Sequence, residues 1–102
     1  MNNGINKEEK NKIIRIIKAF VPTAKIYLFG SRATGDFNDS SDIDLAIDTG
    51  KELDRSQVGE ISSVLTETNI LYSIDIVDLN GAISKKMKES IKSKGILWEI
   101  VN

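Results

Sequence analysis

A chain of 102 residues, 40% apolar and 28% charged, suffices for one small core and leaves little surface to spare. Its net charge of −1 gives no electrostatic pull toward DNA or an anionic membrane, so neither direct nucleic-acid binding nor membrane attachment is expected. Cysteine and histidine are both absent, which excludes disulfides, thiolate and imidazole metal ligands, and Ser-His triads. Chemistry must then rest on carboxylates, hydroxyls, Lys, Arg and a metal ion taken from solution.

From the amino terminus, Met1 to Asn6 is polar and carries no signal peptide, and no later stretch is apolar for long enough to span a bilayer. A cytoplasmic location is expected. Ile13, Ile14, Ile17 and Phe20 recur at helical spacing among Lys, Glu and Arg, which predicts a helix over 7–20. Asn6 followed by Glu9 reads as its capping box, and Pro22 as its stop. A strand is expected at 24–29, then a polar loop over 31–41 with room for one helical turn, then a strand at 43–48. In Leu53-Asp-Arg-Ser-Gln-Val58, Asp54 is the expected N-cap, Gln57 its partner, and Leu53 with Val58 a hydrophobic staple, for a helix ending near 68. Tyr72 to Leu79, dense in Ile and Val, predicts the next strand. A third helix is expected over 82–94, burying Ile83, Met87 and Ile91 and ending at Gly95, with a last strand from Ile96 to Val101. Alternating helices and strands predict one α/β (α+β) domain over 1–102, with helices packed on a short sheet.

Residues 30–44 concentrate the chemistry. Gly30 ends an apolar run and, lacking a Cβ, lets the backbone approach a ligand; Ser31 adds a hydroxyl and an N–H. Asp42 and Asp44 open the strand Ile43-Asp-Leu-Ala-Ile47, so their carboxylates share one face while Ile43, Leu45 and Ile47 point to the core. Asp75 sits within Ser73-Ile-Asp-Ile-Val-Asp78, where a carboxylate is costly unless it meets a cation or an open edge. Hard oxygen ligands of this kind suit Mg²⁺, with Mn²⁺ as an alternative, bound partly through substrate phosphates. The other acids read differently. Asp48 lies at the far end of its strand as a turn residue, Asp36 and Asp39 belong to solvated loop, and Asp78 is out of phase with Asp75. Lys85, Lys86, Lys88, Lys92 and Lys94 read as the solvated side of an amphipathic helix. Tyr27, Tyr72 and Trp98 are expected in the core or facing a partner, and Leu97, Trp98 and Ile100 are candidate interface residues.

Gly30-Ser31-Arg32, Asp42-Ile43-Asp44, Ile74-Asp75-Ile76-Val77-Asp78 and the closing Ile91-Lys-Ser-Lys-Gly-Ile96-Leu-Trp98 together resemble the minimal nucleotidyltransferase family of the polymerase-beta-like superfamily. Stand-alone members look like the antitoxin halves of HEPN/MNT toxin–antitoxin pairs. The resemblance implies a polymerase-beta-like fold in which Asp42, Asp44 and Asp75 hold two Mg²⁺ ions as the catalytic triad. It places Gly30 and Ser31 on the triphosphate and makes Arg32, at a position often basic, a third nucleotide-binding residue. It further implies transfer of AMP from ATP to a hydroxyl of a cognate HEPN-type toxin, since a chain this short has no room for its own acceptor domain. Many members read Gly-Ser-Arg-Ala-Arg-Gly; here Thr34 replaces the second Arg, which bears on turnover more than on the metal site. Two other readings stand beside this one: a non-catalytic binding module that neutralises its partner by contact, and transfer to a small molecule such as an aminoglycoside.

Overall fold

The computed structural model describes residues 3–101. In chain order its elements are α1 (Lys7–Phe20), β1 (Lys25–Phe29), α2 (Ser31–Thr34), β2 (Ile43–Asp48), α3 (Arg55–Glu67), β3 (Ile74–Asp78), α4 (Lys85–Lys94) and β4 (Ile96–Trp98). The sheet order is β3-β2-β1-β4; β1 runs antiparallel to β2 and β4, and β2 runs parallel to β3. Parallel neighbours need a crossover, and α3 supplies it. The mixed sheet packed with helices is the fold expected from the sequence.

Strand alternation divides the core in two. Ile26, Leu28, Ile43, Leu45, Ile47 and Trp98 face α1 and α3, where Ile13, Ile14, Ile17, Ile61 and Leu65 complete the main cluster. On the opposite face Ala46, Leu79 and Ile91 form a smaller cluster under α4, flanked by Tyr27, Phe29, Val77 and Ile83. Because α4 covers only part of that face, the sheet end carrying Asp42, Asp44 and Asp75 is left for chemistry.

Asn6 caps α1 as expected, its side-chain oxygen accepting from the Glu9 N–H at 2.8 Å. The capping box at Asp54 does not form. The Asp54 side chain makes no cap bond, its carbonyl receives the N–H groups of Gln57 and Val58, and Gln57 instead donates to the Phe20 carbonyl at 3.3 Å. Gln57 thus serves the far end of α1, whose last carbonyls lack helical partners. The expected helix over 82–94 begins only at Lys85, because the Ser84 hydroxyl accepts from the Met87 N–H at 3.1 Å and fixes the start there. Ile91 is buried, Ile83 packs from outside the helix, and Met87 is 39% exposed, against the expected burial. Gly95 ends α4 without a left-handed conformation (φ −67°); a Cβ there would strike the Ile91 carbonyl oxygen, so close approach is what requires glycine. The last strand stops at Trp98, short of the expected Val101. Beyond it the buried Asn11 amide takes over, donating to the Val101 carbonyl at 2.7 Å and accepting from its N–H at 2.9 Å. Among the described residues no helix is long and apolar enough to cross a membrane.

Candidate active site

Register brings two of the acids together. Asp44 pairs with Asp75 across the parallel β2–β3 ladder and faces Phe29, the residue before Gly30, across the antiparallel β1–β2 ladder. Neighbouring strands lie about 4.8 Å apart, so side chains paired this way on one face are adjacent. Asp42 is exposed just ahead of β2, near enough for its charge to act on Asp44. The Asp44 carboxyl is accordingly held above its ordinary value of 3.8, first by partial burial, then by the Asp75 charge, then by the Asp42 charge. All of these causes act in the same direction, and a cation is what would reverse them.

Gly30 is built against the same carboxylate. It has φ +73° and ψ −157°, a region reserved for glycine. A Cβ there would collide with Asp44 Oδ2 and stand 3.1 Å from its Cγ. The turn that follows is α2, a single helical turn in which the Gly30 carbonyl accepts from Ala33 at 3.1 Å and Thr34 at 3.2 Å. Half-buried Ser31 therefore leaves β1 beside Asp44. Thr34 is engaged locally, its hydroxyl donating to the Ser31 carbonyl at 3.4 Å and to Asp36 at 3.3 Å.

Arg32 has a different position from the one the resemblance suggested. It is 1% exposed, and its guanidinium donates to the main-chain carbonyls of Asn3, Asn38 and Ser41. With Nε and both terminal nitrogens engaged inside the protein, it organises the loop and has no open face for a phosphate. Tyr72, whose ring lies under that guanidinium, is a second site-shaping residue that spacing alone did not reveal. Asp48 is the turn residue expected: it accepts from Gly50 at 2.9 Å and from Asn80 at 2.8 Å, and chiefly through Asn80 its carboxyl lies below the ordinary value. Asp78 bonds the N–H groups of Leu53 and Asn80, at 2.7 and 3.0 Å, and anchors loops away from the acids. The α4 lysines lie mostly in solvent.

Among the described residues no three acid side chains are gathered closely enough to cage an ion unaided. The three-acid grouping expected of Asp42, Asp44 and Asp75 is thus not formed; Mg²⁺ keeps waters and takes one or two carboxylates together with substrate phosphates, so it does not require one. The all-oxygen donor set at Asp42, Asp44 and Asp75 fits such an ion. A cleft of about 360 Å³ lies beside the acids, not over them, lined by Leu65, Thr66, Ile70, Tyr72, Ser73 and Ile74. It meets the site through Ser73, whose carbonyl accepts the Ile43 N–H at 2.8 Å.

The raised Asp44 value has a thermodynamic consequence. The folded protein holds this proton more tightly than the unfolded chain, so the repulsion is absent below the ordinary carboxylate value and grows as pH rises through the raised one. Melting temperatures of the ion-free protein measured across that acidic range should include a falling contribution from Asp44, obtained by comparison with Asp44→Asn. Millimolar Mg²⁺ should remove it. Parallel curves for the two proteins, with and without Mg²⁺, would contradict the clustering.

Residues 11–99 match the family described as polymerase beta, nucleotidyltransferase. The chain is 31% identical over 90 residues to the protein adenylyltransferase MntA of Shewanella oneidensis, an alignment covering 87% of this chain and 64% of that protein. It therefore spans a little under two thirds of that relative's length. Among solved structures it is similar to a toxin–antitoxin structure with AMP-PNP, at TM-score 0.74 and 29% identity, covering 91% of this chain and 74% of the other. It is also similar to tri-AMPylated Shewanella oneidensis HEPN toxin in complex with MNT antitoxin, at TM-score 0.67 and 25% identity, covering 95% and 74%.

Proposed function

The chain belongs to the polymerase beta nucleotidyltransferase family, and on that premise we propose that it transfers AMP from ATP to a hydroxyl of a HEPN-type toxin, using Mg²⁺ at Asp42, Asp44 and Asp75. The observation that carries this reading is the Asp44 carboxylate, lodged against Gly30 and stressed by Asp75 and Asp42. Members of the family use divalent metal ions, and two of them here would neutralise charge on the α-phosphate and on the departing pyrophosphate.

The chain's own residues do the rest. Asp44, the least solvated of the three, anchors the ion site, and Asp42 completes it from just ahead of the strand. The Gly30 backbone and the Ser31 hydroxyl hold the β and γ phosphates next to that charge and so align the α-phosphorus for in-line attack. Exposed Asp75 stands on the edge strand, where an acceptor can approach, and takes the proton of the incoming hydroxyl. The hydroxyl oxygen bonds to the α-phosphorus, the bond to the bridging oxygen breaks, and pyrophosphate leaves.

The reading is tested by incubating the chain and its partner with ATP labelled on the α- or the γ-phosphate. Label retained on the partner from α and released as pyrophosphate from γ is expected; retention from γ would make the reaction a phosphoryl transfer and sink the proposal. Ser31→Ala should raise KM for ATP with a smaller effect on kcat. The loss should match one hydrogen bond, about 0.5–1.5 kcal/mol, or up to about 3 if the bond is to charged phosphate. Thr34 favours a second reading, contact inhibition without transfer, since a threonine that bonds its own loop contributes no cationic phosphate contact. Under that reading no label is retained, and Asp44→Asn neutralises the partner as well as the native chain does.

A further inference from the structure

Asp42 is exposed, yet the main chain on both sides of it is held. After it, the Ile43 N–H donates to the Ser73 carbonyl at 2.8 Å, which fixes the peptide plane joining Asp42 to Ile43. Before it, Arg32 grips the Ser41 carbonyl twice, from Nε at 3.1 Å and from Nη2 at 2.9 Å. That carbonyl belongs to the planar unit carrying the Asp42 N–H, so fixing one orients the other. With both planes set, the Asp42 backbone dihedrals are set, and with them the direction of its Cβ.

Other contacts of the same guanidinium hold it in place. Nη1 donates to the Asn3 carbonyl at 3.0 Å, and Nη2 also reaches the Asn38 carbonyl at 3.4 Å. The guanidinium carbon lies 5.2 Å from the centre of the Phe37 ring and 5.0 Å from that of Tyr72, whose hydroxyl donates to the Gly4 carbonyl at 3.0 Å. A buried cation supported by carbonyls and ring faces is a costly way to fill space; an aliphatic side chain would do it more cheaply. What the arginine provides, and an aliphatic residue cannot, is a planar fork reaching several carbonyls at once. Two of those carbonyls, Asn38 and Ser41, belong to the loop that leads into Asp42.

We infer that Arg32 is a positioning residue: it clamps the Ser41–Asp42 peptide so that the Asp42 carboxylate is presented beside Asp44 before any cation arrives, with the Tyr72 ring supporting the clamp. This inference rests on the metal role proposed for the acids. Groups that orient a ligand from behind commonly contribute 10–100-fold in metal affinity, and an effect of about tenfold is expected here.

The test is Mn²⁺ binding to the full chain in the presence of a non-hydrolysable ATP analogue, followed by electron paramagnetic resonance without partner. The native chain should bind Mn²⁺ in an Asp44-dependent way; absence of such binding would overturn the metal reading and the clamp with it. Given native binding, Arg32→Met should weaken it about tenfold, and Arg32→Lys should not restore it, because one ammonium cannot span the same carbonyls. In an Asp42→Asn background Arg32→Met should have no further effect, which separates positioning of Asp42 from general loosening. A folded Arg32→Met chain that binds Mn²⁺ as tightly as the native one, or that loses the same factor with Asp42 absent, overturns the clamp. Should Arg32→Met fail to fold, Tyr72→Leu keeps the arginine and removes its supporting ring. Weaker Mn²⁺ binding with faster amide exchange at Ile43, but not at Ile47, supports the clamp, and native binding overturns it.

Discussion

Asp44→Asn is expected to abolish nucleotidyl transfer while leaving the fold intact. The amide keeps the shape that fits against Gly30 but removes the charge that, on the proposed reading, would seat the ion with Asp42 and Asp75. A loss on the order of 10³-fold is expected, the upper end of what removing one preorganised electrostatic contact costs in a transition state. The ion-free variant should melt no lower than the native protein at neutral pH, and slightly higher if repulsion among the acids dominates the exchange of carboxylate for amide. Its stabilisation by Mg²⁺ with nucleotide should vanish, because the native state gains from a ligand only as much as it binds. A variant that transfers at a tenth of the native rate would remove Asp44 from the centre of the site.

Gly30→Ala should be nearly as damaging by another route. The position combines positive φ with extended ψ, so any side chain there is strained by about 1–3 kcal/mol. The added methyl would also push directly on Asp44 Oδ2. Either the turn shifts and takes Ser31 with it, or the carboxylate swings out of the acid row. Thermal melts should show the lowered stability, and the folded fraction should still fail to respond to Mg²⁺. A variant that loses stability yet keeps native Mg²⁺ affinity would show that Gly30 serves only the turn. Glycines with open space around them, such as Gly59, should tolerate alanine far better.

Local chemistry was legible in the residues themselves. The apolar spacing and Asn6 announced α1, and the alternation around Asp42 and Asp44 announced a strand with acids on one face. Identifying Asp75 as their neighbour needed only its place within a strand, but the pairing with Asp44 depends on a parallel register that spacing does not encode. Arg32 could not be read correctly for the same reason. A basic residue after Gly-Ser suggests a phosphate contact, whereas its partners Asn3, Asn38, Ser41 and Tyr72 come together only in the folded chain. Met87 and Gln57 followed helical spacing and capping rules that tertiary contacts overrode, Met87 by lying outside the small cluster under α4 and Gln57 by reaching the end of α1. Asn11, a buried polar residue on the core side of α1, closes the chain beyond β4 by mimicking a strand partner. Nothing in the local pattern marks it.

The most direct measurement is the intact mass of the partner after incubation with the native chain, ATP and Mg²⁺, set beside the same mixture containing Asp44→Asn. The account predicts that the partner gains the mass of one or more adenylates with the native chain and none with the variant. No added mass with the native chain, or equal addition by the variant, would contradict it.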